Sequence, residues 1–262
     1  MTTILEKIIA NKRVEVERDK ERRPLAILEK SIRDVPQRNS FRQTLVNSKT
    51  GIIAEFKRRS PSRNWIHKEA QVEEIIPLYS LEGASALSVL TDYDFFGGTL
   101  ADLKKASELT DTPILRKDFV IDEYQLYQAK ECGASAVLLI ASALSLEENK
   151  ALSFKAKELG LDVLLEIHHE QEIDYINDGV DVVGINNRNL KTFITDVQIS
   201  FDLGAKIPGE CLKISESGIS DPKTVIDLRR EGFQGFLMGE CFMKTKNPGK
   251  ALANFIKEFD EN

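Results

Sequence analysis

The sequence has few cysteines and no long apolar run. Its three cysteines, Cys132, Cys211 and Cys241, are far apart and form no C-x-x-C pair, so neither a disulfide framework nor a structural zinc site is expected. No stretch approaches the roughly 18 apolar residues of a membrane span, and the charged segment 1–23 lacks the apolar core of a signal peptide. We therefore expect a protein of a reducing compartment, most simply the cytoplasm, with no membrane partner.

An excess of positive charge is also lacking. The formal net charge is −6, and no lysine-rich tail or basic stripe with interleaved aromatics is present, so a nucleic-acid partner is not expected. One local basic cluster suits a small anionic ligand better than a polymer. The oligomeric state is left open, with a monomer as the simplest expectation. The cluster comprises Lys57, Arg58, Arg59 and Arg63.

Residues 1–45 have helical periodicity and differ from the rest of the chain. Pro24 breaks the first helical segment, and a second segment, 24–32, ends before Pro36. We interpret this region as an N-terminal helical extension packed on the main domain, with a flexible arm as the alternative. The apolar stripe of the first segment runs through Ile4, Leu5, Ile8, Ile9, Lys12 and Val16.

From residue 51 onward, short apolar runs alternate with amphipathic helical runs. Apolar runs without polar alternation are typical of strands in a buried parallel sheet. Strands are predicted at 52–56, 85–90, 113–117, 135–141, 162–167, 181–185, 212–217 and 235–239. Helices are predicted near 68–82, 99–109, 122–132, 145–159, 169–178, 199–205, 221–231 and 248–259.

A weak internal repeat favours closure of this sheet. A glycine that suits a helix C-terminus, followed by an apolar strand, recurs every 46–53 residues, at strands two, four, six and eight. An open doubly wound sheet is not expected to show such a repeat. We therefore predict an α/β fold of the (β/α)8 TIM-barrel class over residues 51–262, forming a single domain (1–262) with the N-terminal extension.

Polar side chains stand at the predicted carboxyl ends of the strands, where barrel enzymes place their catalytic groups. Because side chains alternate along a strand, Glu55 and Lys57 share one side. That pair alone could be a structural ion pair, and a single charged strand end is often surface decoration. Taken together, the strand ends indicate acid–base catalysis. The other strand ends carry Lys117, Asp118, Glu166, Asn186, Arg188, Glu216, Ser217 and Gly218.

Glycine turns after strands seven and eight indicate a phosphate site. Ser217-Gly218 leads into a helix with Ser220 or Asp221 as its N-cap, and Gly239 follows the eighth strand. Glycines let backbone N–H groups approach phosphate oxygens, and loops seven and eight are the usual phosphate site of such barrels. Glu240 is discordant, because a carboxylate repels phosphate. It must turn away or offer only its backbone N–H.

The remaining candidates are weaker. His168 and His169 lack a third metal ligand and are expected on a loop or helix surface, and His67 is no more convincing as a catalyst. The aromatic loop 91–98 could roof an aromatic substrate or simply pack on itself. Trp65, the only tryptophan, could act as a lid or as a packing anchor.

These motifs together resemble the indole-3-glycerol-phosphate synthase family of tryptophan biosynthesis. IIAEFKRRSPS, LSVLTDYDFFGGTLADL, PILRKDFVIDEYQLYQA, GINNRNLKTF and ISESGIS follow one another in the family's order between about residues 52 and 250. SESGIS alone occurs in other phosphate-binding barrels, whereas AE-x-K-x-x-SPS combined with LRKDF is highly specific. The helical extension is also similar to that of the family.

The resemblance implies a cofactor-free, metal-free ring closure of 1-(2-carboxyphenylamino)-1-deoxyribulose 5-phosphate, with loss of carbon dioxide and water. It implies that Lys117 is the general acid, that Glu166 is the base, and that Lys57 meets the substrate carboxylate. Which lysine serves which step stays open. The resemblance further implies that Glu55 holds the lysines, that Asn186 and Arg188 orient the reacting portion, that Phe96 and Phe119 contact the anthranilate ring, and that Ser60, Ser217, Gly218 and Gly239 contact the phosphate.

One segment departs from the family pattern, in which a lysine and a glycine usually follow SPS. Here Arg63 keeps the charge, and Asn64 tolerates a left-handed backbone better than most residues. Three alternatives stay open. They are a Schiff-base aldolase using Lys117 or Lys57, a phosphoribosylanthranilate isomerase, which would need a cysteine where strand one ends, and a non-catalytic phosphate-binding barrel.

Overall fold

The structure, a computed structural model, describes residues 3–260, with side chains to Glu258. Eight parallel strands close into a barrel: each pairs with the next in chain order, and the last pairs with the first. This confirms the predicted (β/α)8 barrel, with strand ends within two residues of those expected. The strands are β1 Ile52–Phe56, β2 Ala86–Leu90, β3 Ile114–Lys117, β4 Ala136–Ile140, β5 Asp162–Ile167, β6 Val182–Asn186, β7 Leu212–Glu216 and β8 Phe233–Met238.

The helices follow the predicted alternation with one exception. Segment 169–178 is a short 3-10 helix, Glu170–Tyr175, because the Glu172 carboxylate accepts the N–H groups of His168 and His169 and tightens the turn. The α-helices are α1 Ile4–Arg22, α2 Leu25–Ser31, α3 Phe41–Asn47, α4 Val72–Leu81, α5 Tyr93–Phe96, α6 Leu100–Leu109, α7 Glu123–Glu131, α8 Leu146–Glu158, α9 Gln198–Gly204, α10 Pro222–Arg230, α11 Glu240–Met243 and α12 Pro248–Asp260. Within residues 3–260, no helix has the length and apolar character to cross a bilayer.

The N-terminal extension packs on the barrel, as predicted, and does not form a free arm. Ile8, Lys12 and Val16 of α1 are buried. The sequence pattern missed helix α3, which runs two residues past the predicted end of the extension. Phe41 and Leu45 of α3 are buried against the apolar residues of the barrel interior.

The barrel interior is apolar except at the carboxyl ends of its strands. Ile53, Leu115, Leu164 and Ile214 belong to one buried cluster. Two residues further along the same strands, the alternation of side chains places Glu55, Lys117, Glu166 and Glu216 on the same inner side. Four charged groups therefore converge at one mouth of the barrel.

Candidate active site

Lys117 lies at the centre of the mouth, between two carboxylates. Its Nζ is 3.0 Å from Glu166 Oε2 and 3.3 Å from Glu216 Oε2. Gly184 on β6 makes room for this arrangement, since a Cβ there would lie 2.3 Å from Glu216 Oε1. No donor among the described residues reaches that oxygen. The sequence pattern named Glu216 at a strand end but not among the catalytic candidates.

The charges of this cluster shift one another's proton affinity. Burial alone would lower the pKa of Lys117, but the carboxylates of Glu166, Glu216 and Glu55 raise it well above its usual range. Burial would raise the pKa of Glu166, which Lys117 and then His168 instead hold below its ordinary value. Burial, together with the charges of Glu166 and Glu55, raises the pKa of Glu216 to about 7. The site thus contains a charged lysine, a carboxylate and a carboxyl that titrates near neutrality.

Glu55 and Lys57 form a second pair beside the first. Lys57 Nζ lies 2.6 Å from Glu55 Oε1, and the Ser88 hydroxyl donates to Glu55 Oε2 at 3.2 Å. Burial would raise the pKa of Glu55, but Lys57 and Lys117 hold it below its ordinary value. A Cβ at Gly239 would lie 2.8 Å from Glu55 Oε1, so the glycine after β8 leaves room for this carboxylate. Glu55 therefore acts electrostatically on both lysines.

His168 does not lie on the surface, where the sequence led us to expect it. Only 7% of the residue is exposed, whereas His169 is exposed as expected. The Nε2 of His168 is 3.3 Å from Glu166 Oε1, and its Nδ1 is 3.8 Å from Glu172 Oε2. The turn of the 3-10 helix after β5 brings Glu172 back and buries the imidazole.

An apolar cavity lies on one side of the charged cluster. Its volume is about 130 Å³. The rings of Phe96 and Phe119 have centroids 5.9 Å apart and both line it, as do Leu138 and Ile140. Helix α1 adds Ile4, Leu5 and Ile8 from above. The cavity thus has the size and lining for a single aromatic ring.

A polar pocket of about 600 Å³ lies on the other side. Ser217 and Gly218 line it with φ of +68° and +79°, a left-handed pair whose successive N–H groups can form an anion-binding concavity. Asp221 caps α10 through its side chain, and Pro222 opens that helix. Gly239 and the start of α11 form the opposite wall. The turns after β7 and β8 thus meet at one pocket, as their sequence suggested.

Two arginines at this pocket hold Glu240. Arg63 Nε lies 3.2 Å from Glu240 Oε1, and an Arg188 nitrogen lies 3.5 Å from Oε2. Arg188 also donates to the Ser62 hydroxyl. The carboxylate of Glu240 is therefore turned to the arginines. Ser60 and Ser62 both line the apolar cavity, and Ser62 also lines the polar pocket.

The loop after β1 places Asn64 at the position where the family usually has a glycine in its sequence. Asn64 has φ of +57°, the left-handed conformation for which a glycine would otherwise be needed. Segments Arg59–Ser60 and Asn64–Trp65 pair antiparallel. The ring of Trp65 packs so closely on Gly97 that a Cβ there would lie 3.0 Å from it. Trp65 is therefore a packing contact between the loops after β1 and β2.

A buried ion cluster fixes α1 beside the site. Lys12 Nζ lies 2.9 Å from Asp118 Oδ1, 3.1 Å from Asp92 Oδ2 and 2.9 Å from Glu15 Oε2. Lys12, Asp92 and Asp118 are at most 1% exposed. Burial would lower the pKa of Lys12, but these carboxylates raise it well above its usual range. Since Asp118 directly follows Lys117, the cluster ties the helix above the cavity to the strand that carries the central lysine.

The geometry weighs against two of the alternatives. An imine-forming lysine must be unprotonated, and the three carboxylates around Lys117 stabilise its charged form. No cysteine ends β1, as the isomerase would need. No group of three His, Cys, Asp or Glu side chains suited to a metal ion occurs within residues 3–260. The arrangement suits a substrate with an aromatic ring at one end and a phosphate at the other.

Comparison with known proteins gives a consistent picture. The model of the family "Indole-3-glycerol phosphate synthase" matches residues 5–255. A protein of that name from Bacteroides thetaiotaomicron is 57% identical over 98% of this chain and 99% of its own length. Another protein of that name, from Caldanaerobacter subterraneus, is 42% identical over 97% of this chain and 98% of its own length. Among solved structures, a mutant tryptophan synthase alpha-subunit from Pyrococcus furiosus matches 82% of this chain and 99% of its own, with a TM-score of 0.63 at 15% identity, which shows a shared fold.

Proposed function

Since the chain belongs to the indole-3-glycerol phosphate synthase family, we propose that the charged cluster at its barrel mouth carries out that family's reaction. The chain is a carbon–carbon lyase of tryptophan biosynthesis. It closes the indole ring of 1-(2-carboxyphenylamino)-1-deoxyribulose 5-phosphate with loss of carbon dioxide and water. The observation that carries the proposal is the position of Lys117 and Glu166 in the wall of an apolar ring-sized cavity that shares Lys57, Arg188 and Ser217 with the adjoining polar pocket.

In this proposal, the substrate lies across the cluster. Its anthranilate ring enters the cavity at Phe96 and Phe119, and its phosphate binds at Ser217, Gly218 and Gly239. Ser217 and Gly218 offer their backbone N–H groups to the phosphate, and Arg188 lines the same pocket. Asn186 holds the backbone of Arg188 by accepting its N–H at 3.0 Å. Ser62 lines the polar pocket, and Ser60, the phosphate contact that the resemblance implies, lies two residues before it.

The chemistry follows from the charges. The ring carbon that bears the carboxylate attacks the ketone carbon, and Lys117, protonated among its carboxylates, gives a proton to the developing alkoxide. Loss of carbon dioxide restores the aromatic ring. Glu166, held ionised, then takes the proton whose removal accompanies loss of the hydroxyl as water. Lys57 meets the substrate carboxylate and assists dehydration, with Glu55 holding it at 2.6 Å.

We further propose that the extension and the barrel form one domain, that the enzyme works in the cytoplasm as a monomer, and that its one partner is the phosphorylated substrate. The buried Lys12 cluster supports the single domain, because it joins α1 to β2 and β3. The three free cysteines support a reducing compartment. Size-exclusion chromatography with light scattering tests the monomer directly.

Lys117→Ala tests the function. We expect the variant to lose formation of indole-3-glycerol phosphate by at least about a thousandfold, a typical loss for a general acid, while its circular-dichroism spectrum stays unchanged. Indole emission during turnover of the carboxyphenylamino substrate gives the rate. Lys104→Ala removes a lysine that is half exposed on α6 and serves as the matched control. Near-wild-type turnover of Lys117→Ala would exclude the assignment.

A further inference from the structure

His168 joins the catalytic cluster to a second carboxylate outside it. Its ring stands between Glu166 Oε1, 3.3 Å from Nε2, and Glu172 Oε2, 3.8 Å from Nδ1. Only 7% of the residue is exposed. Neither imidazole nitrogen makes a hydrogen bond among the described residues, so the two carboxylates act on the ring through their charge. The geometry therefore favours the charged imidazolium.

Glu166 divides its two oxygens between two cations. Oε2 faces Lys117 at 3.0 Å, and Oε1 faces His168. When Lys117 gives its proton to the substrate, the positive charge at Oε2 is lost. A carboxylate that is 2% exposed would then be buried without a cation unless His168 stays charged.

We propose that His168, as an imidazolium between Glu166 and Glu172, is a positioning residue that keeps Glu166 ionised and aimed at the substrate while Lys117 gives up its proton. This rests on the proposed function, since it takes Lys117 as the acid and Glu166 as the base. This second cation separates the role of Lys117 as acid from that of Glu166 as base. Lys117 can lose its proton while Glu166 still has a positively charged neighbour and stays ionised.

The surroundings of His168 support its charged state from several elements. Burial would lower its pKa, but Glu172, Glu166 and Glu216 raise it above the ordinary value. His169 is the nearest other imidazole, with its ring centroid 6.4 Å away. Arg188 and Lys191, from the loop after β6, line the pocket of about 260 Å³ on the far side of the ring. The carboxylates of Glu166 and Glu172 lie within 4 Å of the imidazole nitrogens, so the charge next to the ring favours the proton.

Histidine NMR tests the charge directly in the wild-type enzyme. The chain has three histidines, so H67Q and H169Q spectra assign two imidazole resonances and leave that of His168 by elimination. We expect His168 to titrate above the ordinary histidine value of about 6.5, and E172Q to lower its midpoint. A His168 midpoint at or below about 6.5 would overturn the proposal.

Kinetics of H168Q test whether the charge of His168 keeps Glu166 ionised during turnover. Glutamine retains a polar N–H group but not the charge, so we expect kcat to fall on the order of tenfold, the effect of a shift of about one pKa unit at Glu166. KM is expected to change by less than about threefold, because the effect acts on the chemical step. Losing a nearby cation raises the pKa of a carboxyl, so the acid limb of the kcat profile should move to higher pH. H169Q, the same substitution on the exposed neighbour, should keep the wild-type profile.

The outcomes separate the two proposals. If H168Q keeps the wild-type kcat and the wild-type acid limb of its pH profile, the proposed role of His168 is wrong and the proposed synthase function is unaffected. Normal turnover by Lys117→Ala, or no indole-3-glycerol phosphate from the wild-type enzyme, would instead overturn the proposed function. The NMR titration needs no variant at His168, so instability of H168Q would not protect the proposal.

Discussion

Replacing Lys12 with methionine is expected to destabilise the protein far more than a surface lysine substitution would. Methionine keeps most of the side-chain length and removes the ammonium group. Asp92 and Asp118, at most 1% exposed, would then lose a cation that lies 3.1 and 2.9 Å away. Asp118 keeps Arg116 at 2.9 Å, but no other donor among the described residues reaches Asp92 Oδ2.

The magnitude depends on the charges that the substitution leaves behind. Removing one partner of a buried ion pair costs about 3–5 kcal/mol, because a charge stays buried without compensation. A domain is stabilised by about 5–15 kcal/mol in total, so this loss would be visible in any unfolding curve. Protonation of Asp92 would recover part of the lost free energy of unfolding, because a neutral carboxyl needs no buried cation. Its pKa is already raised by burial despite Lys12, so the defect should shrink at acid pH.

Guanidinium unfolding followed by far-ultraviolet circular dichroism measures the effect. Lys20→Met is the matched control, since Lys20 lies on the same helix and pairs with Asp122 at 2.7 Å but is one-third exposed. We expect it to cost less than about 1 kcal/mol. The two variants would be equally stable if the Lys12 cluster did not hold α1, and that result would refute the reasoning. Since Ile4, Leu5 and Ile8 cover the cavity, Lys12→Met should also raise KM.

Two further predictions concern the polar groups of the mouth. The native state keeps a proton on Glu216 between about pH 4.5 and 7, where the unfolded chain has released it, so this group's contribution to stability falls as pH rises through that window. The unfolding free energy of Glu216→Gln relative to wild type should therefore increase between about pH 5 and pH 8, and a constant difference would contradict the raised pKa. Inorganic phosphate should inhibit competitively with the substrate. Gly218→Ala should weaken that inhibition, because the added methyl group would lie 2.5 Å from Thr195 Cγ2 and because residue 218 has φ of +79°. Inhibition that does not compete with substrate would count against the phosphate pocket.

The barrel and the strand-end residues were predictable because their causes are local. Alternation along a strand decides that Glu55 lies on the same side as Ile53, and it does so whatever the neighbouring strands contain. Buried parallel strands also leave continuous apolar runs, and the barrel strands show them. The left-handed backbone at Asn64 was similarly accessible, because it depends on one residue type at one position.

The residues that the sequence pattern misjudged depend on distant parts of the chain. His168 is buried only because a 3-10 helix brings Glu172 back beside β5, where a regular helix was expected. Lys12 was recognised as part of a helical stripe, but its partners Asp92 and Asp118 are about 80 and 106 residues away in the sequence.

The contact of Glu240 with Arg63 and Arg188 has a consequence for how ligands exchange. Both arginines already have an anionic partner before any phosphate arrives, so binding replaces one counter-ion with another and does not strip water from two unpaired cations. The pocket therefore presents less excess positive charge to an approaching dianion, and association should depend only weakly on ionic strength. Glu240 thus acts as an internal counter-ion for the two guanidinium groups whenever no phosphate is bound.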